Sequence, residues 1–228
     1  MAFAHGAKER LTRYDLGRFP GATHFDRLGR AVCEAGVLPR KELYEAWEVA
    51  RRVRRHLRGG RVVDVAGGHG LLAHAMLLLD DTSPEALVVD PARPPSAAAL
   101  HGALTRAWPR LAGRVHWTEA PLSATSLHAT DVVVSSHACG ALTDAVLEAA
   151  AAVGAAVAVL PCCHDDTTCD PGPLRGWMDL GLSVDSHRAV RLQAQGYRVW
   201  TQTIPAAVTP KNRLLIGRPS GAYSGRPR

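Results

Sequence analysis

Long apolar runs are missing from this chain of 228 residues. The two longest, residues 71–79 and 149–160, fall well short of the ~20 residues a membrane-spanning helix needs. Residues 1–10 carry Lys8, Glu9 and Arg10 and no apolar stretch, so a secretory signal is not expected. A disulfide framework is missing too. Five cysteines are an odd number, and Cys162 and Cys163 are adjacent, which suits the reducing cytoplasm. No unit of 20–50 residues repeats, which excludes solenoids and propellers. Aromatic residues make up only 5%, and Trp47, Trp108, Trp117, Trp177 and Trp200 are scattered. They read as core residues rather than as platforms for stacked bases.

What is present is enough for one domain with a buried core: 46% of residues are hydrophobic and 21% charged, which excludes wholesale disorder. The net charge of +6 is segregated. Residues 1–61 hold 14 Lys/Arg against 7 Asp/Glu, residues 62–185 hold 5 against 14, and residues 186–228 hold 8 and no acid. An acidic middle suits a cationic or hydroxyl-rich ligand, and basic flanks suit a polyanion or are simply solvated.

Residues 1–40 read as irregular, punctuated by glycine and proline; a helix opens at Leu38-Pro39-Arg40 and ends in Arg51, Arg52, Arg54, Arg55 and Arg58 before Gly59-Gly60. From there strands and helices alternate. Strands are expected at residues 61–66, 86–89, 114–117, 131–135 and 155–160, with a closing pair at 198–204 and 213–217. Helices are expected at 71–79, 95–111, 142–153, 174–180 and 188–194. The pattern predicts an α/β fold with a mostly parallel sheet covered on both faces and an antiparallel hairpin at one edge.

The most informative stretch is Asp64-Val65-Ala66-Gly67-Gly68-His69-Gly70, at a strand-to-helix turn. Glycines there let the backbone approach a nucleotide-like ligand near a helix N-terminus. Twenty residues on, Asp90 ends the next strand, where a carboxylate can take both hydroxyls of a ribose. The dinucleotide pattern G-x-G-x-x-G is absent, and Asp64 would repel a pyrophosphate but attract a sulfonium or amino group. The stretch resembles the (D/E)-x-G-x-G-x-G motif of class I S-adenosylmethionine-dependent methyltransferases, with Ala66 in place of the first glycine. That resemblance implies a cofactor site of Asp64, Ala66, Gly67, Gly68, Gly70 and Asp90, with Glu119, after the third strand, at the adenine.

Two more loops fall where parallel strands should end, and they hold His137, Cys139 and Asp144, and Cys162, Cys163 and His164, with Cys169 beyond. Three readings compete. A histidine removes a proton from the methyl acceptor; the cysteines bind zinc, against which adjacent cysteines make poor chelate geometry; or the cysteines are small buried hydrophobes. No metal site is assigned from the sequence. Thr209-Pro210-Lys211-Asn212-Arg213 reads as the last hairpin's turn, where Lys211, Asn212 and Arg213 are candidates for binding a substrate phosphate.

The strings SSHACGALTDAVLEAA, AVLPCCHD, GYRVWTQTIP and TPKNRLLIG resemble the bacterial branch of a methyltransferase-domain family. That family includes the C-terminal domain of the animal glutathione S-transferase C-terminal-domain-containing protein. The H-x-C-G-x-x-T-D and C-C-H elements are also similar to the eukaryotic tRNA acceptor-stem 2′-O-methyltransferase. The resemblance covers residues 40–218 and implies that His137, Cys139, Asp144, Cys162, Cys163 and His164 line the site, without a role for each.

The expectation is therefore a Rossmann-like seven-stranded class I methyltransferase domain at residues 41–218, after an N-terminal helical extension (1–40) and before a basic tail (219–228). The cofactor is S-adenosyl-L-methionine and the preferred acceptor is RNA, in the cytoplasm and away from any membrane. The rivals are a small-molecule or protein methyltransferase, and a non-catalytic cofactor- or metal-binding regulatory module.

Overall fold

The computed structural model describes residues 4–221, so most of the expected basic tail lies outside the described residues. Seven strands form one sheet: β1 (Val62–Val65), β2 (Ala86–Asp90), β3 (Val115–Glu119), β4 (Val132–Ser135), β5 (Ala156–Val159), β6 (Tyr197–Thr203) and β7 (Arg213–Pro219). Their order is β3-β2-β1-β4-β5-β7-β6, with β1 to β5 parallel and β7 inserted antiparallel between β5 and β6. Short Val/Ala-rich strands suit this arrangement, because a parallel sheet is covered on both faces.

Side chains alternate between two cores. Val62, Val132 and Val134 pack on one face against α1 (His24–Ala35), α2 (Arg40–Val53), α3 (Leu71–Leu79) and α4 (Ala97–Ala107). Val63, Val133 and Val157 pack on the other against α5 (Ala141–Val153) and α6 (Leu180–Ala194). Just before β1 and β4, Arg61 grips Asp131 through Nε at 3.1 Å and Nη2 at 2.8 Å. The clamp sets the register of the two central strands.

Several expectations are corrected: Trp177, read as core, is 87% exposed, and the helix expected to run on through Arg58 ends at Val53. Residues 1–40 are not irregular: α1 is a 12-residue helix, and Leu11, Phe19 and Leu28 join the first core. Its signals are ordinary ones. Thr23 caps it by accepting the Asp26 N–H, and Gly36 closes it in the left-handed conformation at φ 68°. The helix expected over 95–111 stops at Ala107, and Pro109 opens a separate 3₁₀ turn. Residues 174–180 hold only a 3₁₀ turn, Pro173–Gly176; α6 starts at Leu180, where Asp179 accepts the Leu182 N–H, and absorbs the helix expected at 188–194.

No helix among the described residues is long and apolar enough to cross a membrane. The sheet changes direction between β1 and β4, whose neighbours lead away on opposite sides. Ligands of such sheets bind in the crevice at the carboxyl ends of these strands.

Candidate functional site

The glycine turn after β1 is pressed onto the sheet. A Cβ on Gly67 would stand 2.8 Å from Asp64 Cγ, and one on Gly70 2.9 Å from Val88 Cγ2. A Cβ on Gly68, at φ 49°, would meet nothing within 4 Å, so space opens in front of this residue. Ala66 keeps the left-handed conformation at φ 55° that a glycine would adopt freely. The substitution of the motif's first glycine thus costs strain without changing the turn's path.

Ring donors hold the turn's carbonyls from behind. Trp117 Nε1–H donates to the Gly68 carbonyl at 3.3 Å, and His74 Nδ1 lies 2.6 Å from the Gly70 carbonyl. Burial lowers the His74 pKa to about 4, so the ring is neutral. His74 Nε2 in turn meets His101 Nδ1 at 3.0 Å. In front, Asp90 accepts the Gly68 N–H through Oδ2 at 3.1 Å and the Ala92 N–H through Oδ1 at 3.2 Å. Glu119 stands beside Asp90 in the β2–β3 register, exposed, with the Arg93 N–H at 3.5 Å from its carboxylate.

A narrow crevice runs from this turn to the loop after β4, lined by Glu42, Asp64, Gly67, His69, Ser136 and His137. Asp64 is buried beneath the turn and accepts the Ala73 N–H at 3.1 Å. Burial raises its pKa to about 7, with the Asp90 charge adding to the rise. Burial, then Glu45, also raises the pKa of Glu42. These two carboxyl groups hold protons more readily than free ones, and a cation bound beside them would favour their charged forms. Carboxylates at Asp90 and Asp64 around an open, flattened turn fit S-adenosylmethionine, which carries a hydroxyl pair, an amino group and a sulfonium. They do not fit a pyrophosphate.

The loop after β4 is tied down by Ser135, whose hydroxyl donates to the Val65 carbonyl at 2.7 Å and accepts the Ala138 N–H at 3.1 Å. His137 is open to solvent at one edge, and the protein packed around the rest of the ring lowers its pKa; Glu45 opposes and Lys41 reinforces this. A neutral imidazole at the crevice is placed to accept a proton.

His164 is placed differently. It is nearly fully buried, with Nε2 2.7 Å from Asp185 Oδ1 and with Nδ1 buried and unpartnered against Gly181. The geometry makes it a clamp between the loop after β5 and α6. Asp144 is likewise engaged, by Arg188 through Nε at 3.0 Å and Nη2 at 2.6 Å. Arg188 Nη2 also donates to the Gly140 carbonyl at 2.9 Å, so this pair holds the loop that carries Cys139.

Of the hairpin residues, Arg213 is held by Asp185 at 2.6 Å, and Asn212 Nδ2 donates to the Ile204 carbonyl at 2.9 Å, closing the hairpin mouth. Lys211 is exposed. Cys139, Cys162 and Cys163 come together from the two loops, whereas Cys169 is buried beside Arg188. Burial and mutual proximity raise the thiol pKa values of Cys139 and Cys162, so both are protonated at neutral pH.

Sequence reasoning missed Glu42, His74, Trp117, Asp185 and Arg188. Trp117 packs against the core as expected, yet its indole N–H also reaches the glycine turn. Nothing local marks Glu42 or Asp185, because their partners lie on other elements.

A family model for a methyltransferase domain matches residues 41–169. No curated protein matches the chain. Among solved structures it is similar to an O-methyltransferase family protein from Burkholderia thailandensis, at 20% identity and a TM-score of 0.50 over 93% of this chain. It is also similar to a candidate O-methyltransferase from Nostoc punctiforme, at 13% identity and a TM-score of 0.51 over 90% of this chain. The chain spans 64% of the first protein's length and 67% of the second's. At these identities the structures speak for the fold, and the match over residues 41–169 speaks for the family. The chain belongs to the methyltransferase-domain family and is built on a Rossmann-like seven-stranded sheet.

Proposed function

We propose that the chain methylates RNA in the cytoplasm, in line with its likeness to the tRNA 2′-O-methyltransferase motifs. The observation that carries this reading is a basic, aromatic cluster on the edge strand β6, beside a cleft at the amino ends of β4 and β5. Trp200 stacks on His56 at 4.5 Å, with the guanidinium of Arg198 5.0 Å and that of Arg218 5.8 Å from the Trp200 ring centre. Arg55 and Arg58 are exposed at the same corner. Burial first, then Arg55, Arg198 and Arg218, lowers the His56 pKa. His56, Arg58 and Arg218 line a cleft of about 150 Å³, large enough for a phosphate group.

A small acceptor has no use for cations on the far edge of the sheet. A polynucleotide is long enough to engage this edge while one nucleotide enters the crevice. When bound, S-adenosylmethionine supplies an electrophilic methyl group. His137 accepts the acceptor's proton, and the clamped loops after β4 and β5 orient the acceptor.

The test is transfer of labelled methyl groups to bulk RNA, together with the salt dependence of RNA binding. Arg55→Glu and Arg58→Glu should weaken RNA binding and flatten its salt slope by about one unit per lost phosphate contact, leaving cofactor affinity unchanged. His137→Gln should lower the transfer rate about 100-fold at unchanged RNA affinity. Label that enters only small molecules, with salt-insensitive RNA binding, would overturn the reading.

A second reading rests on a cavity of about 620 Å³ between α6 and the β6–β7 hairpin, lined in part by Pro161, Leu182, Asp185, Thr201 and Arg213. Its size and mixed lining suit a small acceptor. Loss of small-molecule methylation in Thr203→Trp, with RNA untouched, would favour it.

A further inference from the structure

Cys139, Cys162 and Cys163 stand with their sulfurs within 4.8 Å of one another, brought from the carboxyl ends of β4 and β5. Cys162 and Cys163 are consecutive, a spacing that argues against chelation when read along the chain. The folded geometry removes that objection. Their sulfurs are 3.8 Å apart, and two thiolates on a tetrahedral zinc, each about 2.3 Å from the metal, stand about 3.8 Å apart. Cys139 completes the group from the opposite loop, with its sulfur 2.7 Å from that of Cys162. As ligands of one ion these two sulfurs would part by about 1 Å. Cys139 and Cys163 are exposed and Cys162 is half-buried, so an ion reaches all three from solvent.

From this juxtaposition we propose that Cys139, Cys162 and Cys163 form a three-thiolate site for a soft transition-metal ion, zinc in the first place. Soft thiolates select zinc or copper(I) over the hard cations. Each thiol releases its proton to solvent as it becomes a ligand, and a divalent ion with three thiolates carries one net negative charge. Three protein ligands leave the fourth position of a tetrahedral ion to water or to an exchangeable atom, as in catalytic rather than structural zinc sites. The site does not depend on the acceptor being RNA. Its two loops are those held by the Arg188–Asp144 and His164–Asp185 pairs, so the scaffold that aligns the three sulfurs is present before an ion arrives.

The experiment uses the full chain, reduced and freed of metal, then titrated with zinc chloride and, separately, with cobalt(II) chloride. One zinc per chain is expected, with an intense thiolate-to-cobalt charge-transfer band in the near ultraviolet. Cys139→Ser, Cys162→Ser and Cys163→Ser should each weaken zinc binding at least 100-fold, whereas Cys33→Ser and Cys169→Ser should not. Zinc should also shield those three cysteines of the wild-type chain from iodoacetamide, read by peptide mass spectrometry, which needs no variant to fold. No zinc on the reduced chain, no cobalt–thiolate band, or alkylation unaltered by zinc would overturn the proposal. So would a Cys139–Cys162 disulfide that persists under reductant.

Discussion

The main-chain N–H of Gly68 donates to Oδ2 of Asp90 at 3.1 Å, joining the glycine turn after β1 to the end of β2 across 22 residues. The same carboxylate also accepts the Ala92 N–H. Asp90 therefore shapes the turn and keeps further lone pairs at the carboxyl end of β2. Asp90→Ala should reduce S-adenosylmethionine and S-adenosylhomocysteine affinity by about 10- to 100-fold, since hydrogen bonds to a charged group contribute about 1.5–3 kcal/mol. Calorimetric titration of both ligands into the folded variant checks this.

Ala66 carries a left-handed backbone at φ 55°. That conformation costs an L-residue about 1–2 kcal/mol, and the greater freedom of glycine in the unfolded chain takes back part of the gain. Ala66→Gly should stabilise the protein by about 1 kcal/mol and raise its melting temperature by about 2–4 °C. Thermal unfolding of the two proteins decides it. A lower melting temperature for the variant would contradict the strain.

Asp64 titrates near 7 in the fold against 3.8 for an ordinary aspartate, with burial the main cause. Between those values the folded chain holds a proton that the unfolded chain has released, so this group's contribution to stability falls as pH rises. It is complete below about pH 4 and lost by about pH 7. Asp64→Asn lacks this titration. Its stability relative to wild type should therefore improve by about 4 kcal/mol from pH 4 to pH 7, at 1.36 kcal/mol per pKa unit. Urea denaturation of both proteins across that range measures the difference.

Arg188 is 2% exposed: Nε and Nη2 donate to Asp144, Nη2 also to the Gly140 carbonyl, and Nη1 stands 3.4 Å from Asp185. Removing Asp144 leaves this buried charge with only the longer contact to Asp185, and breaking a buried pair costs about 3–5 kcal/mol. Asp144→Ala should show this loss in thermal denaturation, and the double variant Asp144→Leu/Arg188→Met should recover most of it. Equal losses in the single and double variants would show that the pair's charges are not what matters.

Much of the fold is legible in the chain because its signals are local. Short Val-rich runs and the glycine turn after β1 each act within a few residues. The bounds of α1 within the helical extension are missed although Thr23, Asp26 and Gly36 mark both its ends, because the glycines and prolines around it suggest a loop. The start of α6 is missed for a related reason. Leu174, Trp177 and Met178 sit in helical spacing, but Gly176 ends a 3₁₀ turn and Asp179 caps a new helix.

The sequence by itself determined the strand–helix alternation, the glycine turn and the placing of Asp90 at the end of the following strand, since each depends on backbone preferences and spacing. Only the tertiary structure decided what the polar side chains do. It buried Asp64 under the turn and raised its pKa, left His137 at the crevice and enclosed His164, and gave Asp144 to Arg188. It also gathered three thiols that stand 23 residues apart or side by side in the chain. The reason is physical: the charge state and reach of a polar group depend on its burial and on partners from other elements, and the packing of β4, β5 and α6 supplies both.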